Sequence, residues 1–183
     1  MQVLNIHERE LNASIARVGE LIDSLATQAD RLWPVHSWPR MQFDRPLGVG
    51  ASGGHGPIRY KVEAYEPCRF IKFRFTGPRG FDGYHAFDLS TMPGDRVKLR
   101  HTVKMNTRGL ALISWPLVFE PMHNALIEDA LATAEASLGL LPTMQDWSPW
   151  VRFLRWLVTG GKAGPQVIPK TVIQQNPPSV SSS

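Results

Sequence analysis

GYHAFDLSTMPGDRVKLRHTVKM, residues 83–105, reads as two β-strands joined by a tight turn at Met92-Pro93-Gly94. In the second arm Val97, Leu99, His101, Val103 and Met105 alternate with Arg96, Lys98, Arg100, Thr102 and Lys104. A period of two with one apolar and one charged side marks a strand that covers a core on one face and meets water on the other. The first arm supplies His85, Phe87 and Leu89 to the same face. A three-residue loop with Gly94 left-handed predicts Leu89 opposite Val97, Phe87 opposite Leu99 and His85 opposite His101. Met92 strains that register, because a residue before proline resists the helical conformation. The pattern sets two imidazoles side by side on an apolar sheet face, which points to a lined cavity more than to a reaction.

Upstream, Ile58, Tyr60, Val62 and Ala64 alternate with charged residues, and so do Ile71, Phe73 and Phe75. The connection Glu66-Pro67-Cys68-Arg69 suits a β-turn with proline at its second position. Val3–Glu10 reads as a first strand with Leu4 and Ile6 on one side, and Phe43–Val49 as another strand entering the loop GASGGHGP. Asn12 is a helix-cap residue type, and Ile15, Val18, Ile22 and Leu25 follow at helical spacing. Residues 26–32 suggest a second short helix, stopped at Pro34. Downstream the period changes. Ser114 is placed to cap, Pro116 fits a first turn, and Trp115, Phe119, Met122, Leu126, Ala130 and Ala134 mark one helical face. Pro121 must kink this helix or mark its start. Glu128, Asp129 and Glu135 are expected on or near the solvent side.

Strand, one or two short helices, a meander of at least five strands and one long helix make an α+β chain. A sheet with one apolar face needs a cover, and the long helix is the available one. The expected architecture is a helix grip, a curved antiparallel sheet wrapped around the long C-terminal helix. The expected division is a domain over 1–140, an amphipathic helical extension over 141–161 and an extended or disordered Pro/Ser-rich tail over 162–183.

The chain of 183 residues is long enough for a core, and 43% hydrophobic against 20% charged residues excludes global disorder. A net charge of +4, scattered along strand faces, does not mark a nucleic-acid binder. The single cysteine, Cys68, excludes an internal disulfide and a cysteine zinc site. The N-terminus lacks the pattern of a secretory signal, and no stretch approaches the roughly 20 apolar residues of a membrane span. A cytoplasmic protein is the expectation, one that the apolar C-terminal helix also allows to lie at a membrane surface.

The succession LWPVHSWPRM, GGHGPIRYKVEAYEPCRFIKFRFTGPRGFDGYHAF and SWPLVFEPMHNALIEDAL resembles the SRPBCC superfamily, the START-like or polyketide cyclase/dehydrase-like proteins. Its most specific parts are the YEPCRF turn and the Trp-Pro start of the last helix. Many relatives have glycine where this chain has Cys68. The resemblance implies a helix-grip fold with a deep apolar pocket for lipids, polyketides or other hydrophobic molecules. It carries over no catalytic motif, because members include carriers, cyclases and hydrolases.

His85 and His101 are the sharpest candidates. A pair of neutral imidazoles in an apolar pocket can orient a carbonyl or phenol, and one can serve as general base in cyclase or dehydratase chemistry. The plain alternative is that they hydrogen-bond each other or buried water and complete the wall. Tyr60, Phe73, Phe75, Phe87, Leu99, Val103, Trp115, Met122 and Leu126 are expected to line the cleft or the core. His123 and His55 are flanking candidates, and Phe81 in TGPRGFDG could belong to a lid or a plain connection. No cofactor is implied. A metal lacks a third ligand. Gly48-x-Gly50-x-x-Gly53 matches a dinucleotide fingerprint in letters alone, because a proline and a strand follow it where a helix is needed.

Ser148 and Pro149 open a helix whose core, WVRFLRWLV, is apolar apart from Arg152 and Arg155. Residues 150–158 (Trp150–Val158) suit an interfacial membrane helix, docking on the domain, or self-association. Three function classes stay open: binding or transfer of a hydrophobic small molecule, a cyclase/dehydratase-type enzyme, and a membrane-surface adaptor.

Overall fold

The hairpin forms, with arms at Phe81–Met92 (β6) and Arg96–Thr107 (β7), in a computed structural model that describes residues 1–162 and 164–167. Its register differs from the expected one by two residues: Leu89 faces Leu99, Phe87 faces His101 and His85 faces Val103. The cause lies in the turn. Met92 stays in the strand, as a residue before proline prefers, so the loop is Pro93-Gly94-Asp95 with both Gly94 and Asp95 left-handed. A slip of two keeps every side chain on its face. Val97, Leu99, His101, Val103 and Met105 are accordingly all buried.

The sheet is completed by β1 (Gln2–Leu11), β2 (Gln42–Phe43), β3 (Ser52–His55), β4 (Ile58–Glu66) and β5 (Phe70–Gly77). All pairings are antiparallel, in the order β1-β7-β6-β5-β4-β3-β2. Its inner face is covered by a continuous helical run: α2 (Ala111–Ser114), a π-helical turn (Trp115–Phe119) and α3 (Glu120–Ser137). This α+β arrangement is the helix grip that the element order predicted.

Several local expectations change. The inward side of β1 is Val3, Asn5, His7, Arg9 and Leu11, whereas Leu4 and Ile6 point to solvent. Helix α1 (Ile15–Asp23) is capped by Ser14, not Asn12. The expected second helix at 26–32 is a loop, because the Asp30 carboxylate accepts the backbone N–H groups of Ala26, Leu32 and Trp33 and holds them in a turn. The strand expected over 43–49 shrinks to β2, and the GASGGHGP segment instead supplies β3. Phe81 is no part of a lid. It opens β6 and packs on Trp115 and Phe119.

The long helix starts at Ala111 rather than at Ser114, which makes no side-chain cap. Pro121 stands in the first turn of α3, inside the helical run that begins at Ala111. The chain widens into the π-turn just before that proline, a usual way of absorbing a missing N–H. The Leu117 carbonyl, four residues back, receives the Trp150 indole N–H instead, at 2.8 Å.

Asp129 and Glu135 are buried, contrary to the expected solvent side. The outward face of α3 is covered by residues 140–148 and by α4 (Pro149–Val158), whose Val151 joins the main core beside Trp147. Asp129 accepts indole N–H bonds from Trp38 (2.7 Å) and Trp147 (3.0 Å) and an amide N–H bond from Gln166. Glu135 takes Arg9 at 2.8 Å. At the far end, Val167 and Ser37 exchange hydrogen bonds. The rest of the expected tail, from residue 168, lies outside the described residues.

Cys68 occupies the left-handed position of the Glu66–Arg69 turn, with φ of 60°. L-residues adopt this conformation at a cost that glycine escapes. The turn is pinned to α1 by Asp23, which accepts the Cys68 N–H and the Tyr65 hydroxyl. Gly19 makes this contact possible, since a Cβ there would lie 2.1 Å from the Cys68 carbonyl oxygen. Gly19→Ala should therefore cost about 1–3 kcal/mol by overpacking, read as a lowered midpoint in urea unfolding.

Candidate ligand site between sheet and helix

The period-two pattern of the strands aims His55 (β3), Tyr60 (β4), Phe73 (β5), His85 (β6) and His101 (β7) at the inner face. Helix α3 adds His123 from above, and β1 adds His7. Five of the six histidines thus form a band across the interior. His7 lies 5.9 Å from His123 between ring centres, His123 lies 5.1 Å from His101, and His101 lies 5.5 Å from His85. Tyr60 stands edge-on to His85 at 4.7 Å, and its hydroxyl meets His55 Nδ1 at 3.0 Å.

His85 and His101 do not face each other across the strands, yet their rings touch diagonally, with Nδ1 of His85 at 3.3 Å from Nε2 of His101. Diagonal neighbours on one sheet face lie within reach of long side chains. Phe73 and Phe75 stack on His85 at 4.7 and 5.2 Å, and Phe87 stands against His101 at 4.6 Å.

The expected lining residues are divided by this band. Tyr60, Phe73, Phe87, Leu99 and Leu126 belong to the main core, with Met122 packed against it. Val103 and Trp115 belong to a second cluster at the other end, with Phe75 against it. Most of these side chains are fully buried. Phe75, Phe119 and Met122 retain partial exposure. A groove of about 720 Å³ on the outer sheet surface, bounded by Leu4, Tyr84, Lys104 and Asn106, does not reach the band.

Burial holds the imidazoles of His85 and His101 well below the usual histidine range, with the neighbouring histidines adding to the effect. The same cause brings His123 down to about 3 and His55 to about 4. Near neutral pH these rings are uncharged, each with one N–H donor and one acceptor nitrogen. The His85–His101 contact uses one of each. Nε2 of His85, Nδ1 of His101 and both ring nitrogens of His123 are buried without a partner among the described residues. Two donors and two acceptors are therefore left facing the sheet–helix interior, a departure from the rule that buried polar groups are paired. Among the described residues no group of three His, Cys, Asp or Glu side chains is placed to hold a metal ion.

His7, Asn124 and Glu128 complete one end of the band, with Glu128 half-buried there rather than on the expected solvent side. Nδ1 of His7 meets the Glu128 carboxylate at 2.6 Å and Nε2 meets Asn124 Oδ1 at 3.1 Å. Arg9 bridges Glu128 and Glu135 at 2.9 and 2.8 Å. The hydrogen bond from His7, with Arg9 assisting, lowers the Glu128 carboxyl below its ordinary range. The signal for an inward His7 was present in parity. Asn5, His7 and Arg9 fall on the same side as Val3 and Leu11, but Leu4 and Ile6 are the more apolar pair.

No family model matches the chain, and no curated protein sequence matches it. Solved structures do share its fold. A truncated norcoclaurine synthase from Thalictrum flavum is 15% identical, with a TM-score of 0.57 over 75% of this chain and 94% of that one. A solution structure from Thermobifida fusca is 12% identical, with a TM-score of 0.57 over 78% and 97%. Ara h 8.0201 is 10% identical, with a TM-score of 0.54 over 75% and 99%. At 10–15% identity these neighbours show the fold that the resemblance implies.

Burial of His55, His85, His101 and His123 makes stability pH-dependent. Below pH ~6.5 the unfolded chain binds protons on these histidines that the folded protein refuses. Stability present above that pH should fall as the medium is acidified, by up to about 1.4 kcal/mol per pH unit for each buried histidine. Urea unfolding at a series of pH values between neutrality and the carboxylate range should show this slope. His101→Phe should make the slope shallower.

Proposed function

We propose that this helix-grip protein binds a hydrophobic small molecule, such as a lipid or polyketide, between the sheet and α3, and that the imidazole band orients a polar group on it. The observation that carries this reading is the set of buried, unpartnered nitrogens on His85, His101 and His123 between two apolar clusters. An apolar body fits the phenylalanines on either side, and a hydroxyl or carbonyl group would pair the open donors and acceptors. Hydroxylated aromatic molecules suit that mixture better than a plain acyl chain. The norcoclaurine synthase of Thalictrum flavum, 14% identical, with a TM-score of 0.56 over 75% of this chain and 87% of that one, has been crystallised with dopamine and hydroxybenzaldehyde. This agrees with the reading only at the level of the fold.

Cyclase or dehydratase chemistry is the second reading, favoured by the 3.3 Å contact between His85 and His101. A neutral imidazole there can accept a proton, and its partner can release one. Association with a membrane or a second copy through Trp150–Val158 concerns another face and does not compete with the interior site.

Hydroxybenzaldehyde and benzaldehyde, compared by titration calorimetry, test the binding reading. The hydroxylated probe should bind the tighter of the two, and His101→Phe should weaken it about tenfold, the worth of one good hydrogen bond. Benzaldehyde should be nearly unaffected by the same change. Equal affinities of the native protein for the two probes, or no binding of either together with no small molecule in native mass spectra of the purified protein, would refute it. In the enzymatic reading the same substitution would lower turnover by roughly 10²–10⁴-fold.

A further inference from the structure

The π-turn and α4 meet at the Trp150–Leu117 hydrogen bond, and the surface around that bond is apolar on both sides. Leu112 and Ile113 of α2 and Leu117 of the π-turn are exposed at 45%, 63% and 54%. From α4, Phe153 and Trp156 are exposed at 47% and 53%, and Leu157 lies beside them. Trp150, Phe153 and Trp156 stack in sequence along the helix, with ring centres 5.5 and 6.3 Å apart. Soluble proteins seldom leave so many large apolar side chains together in water.

Charge distinguishes the occupants. Neither residues 108–119 nor residues 147–162 contain an aspartate or glutamate, whereas they carry Arg108, Arg152, Arg155 and Lys162. Arg155 is buried between the Trp38 and Trp147 rings, and Arg108 pairs with Asp82 at 3.3 Å. Arg152 is exposed and has no ion-pair partner among the described residues. A two-fold dimer through this face would bring the exposed Arg152 of one copy toward the same basic patch of the other, since such an interface is self-complementary. A layer of anionic headgroups over an apolar interior complements it instead. Indole rings and arginines at the border between the two are what that interface favours.

We infer that α2, the π-turn and α4 together form a docking surface for an anionic lipid bilayer, on which α4 lies flat. Its ten residues reach about 15 Å, half of a bilayer core, and no helix among the described residues is long and apolar enough to cross a membrane. The surface has two halves, so neither α4 nor the α2 segment alone should account for binding.

Co-sedimentation of the full chain with phosphatidylcholine vesicles, with and without phosphatidylserine, tests this. Binding should require or be strongly enhanced by phosphatidylserine and weaken with salt. Phe153→Ser with Trp156→Ser, and separately Leu112→Ser with Ile113→Ser, should each reduce partitioning about tenfold or more. Arg152→Glu should reduce binding to phosphatidylserine vesicles by about fivefold or more. These positions are exposed, so unchanged melting temperatures should accompany the losses. Failure of the native chain to bind either vesicle overturns the inference, as does a serine variant of α2 that binds as well as the native chain. A dimer in light scattering that the same substitutions make monomeric, without vesicle binding, would assign the face to a second copy.

Discussion

Helix α3 is held over the sheet by buried charge as well as by apolar contact. Arg9, projecting inward from the edge strand β1, spans Glu128 and Glu135, while Asp129 gathers the Trp38 and Trp147 indoles. Removing Arg9 would leave two largely buried carboxylates without their partner, which costs more than breaking a surface pair. These contacts therefore fix the position of α3 more tightly than its alanine-rich face could. They also tie three remote parts of the chain, β1, the Trp-Pro connection and the 140–148 segment, to one helix.

With α3 fixed, the interior between it and the sheet acquires its character. Packing of α1 and the lower half of α3 closes the main core, and Phe81, Trp115 and Met105 close a smaller one. The imidazole band runs between them. Such a layer gives up hydrogen bonds that burial normally demands, a cost that an apolar layer of the same volume would avoid. Sites that break a local rule in this way are where function is expected.

The parity of β4, β5 and β7 could be read directly, because each alternates apolar residues with lysine or arginine, and that of β6 followed from its place as the other arm of the β7 hairpin. The inward placement of Tyr60, Phe73, His85 and His101 followed from it. Register was less legible. Its error of two residues came from the turn, where the preference of Met92 before Pro93 prevailed over a symmetrical loop, and the even slip left the faces intact. The polar inner side of β1 was hidden because Leu4 and Ile6, exposed on an edge strand, mimic a core face. The acidic residues of α3 misled for a related reason. A carboxylate reads as solvent-facing unless its partner is known, and Arg9 lies 119 and 126 residues away from the two it binds.

The sequence by itself determined which residues share a strand face, the order of elements and hence the helix grip, since these rest on local periodicity and on the need of one apolar face for a cover. Tertiary structure alone decided that five histidines from β1, β3, β6, β7 and α3 meet in one band, and that α4 closes over α3 while leaving its aromatic edge outside. Those outcomes depend on which distant side chains satisfy one another's hydrogen bonds and charges, and that pairing leaves no periodic trace along the chain.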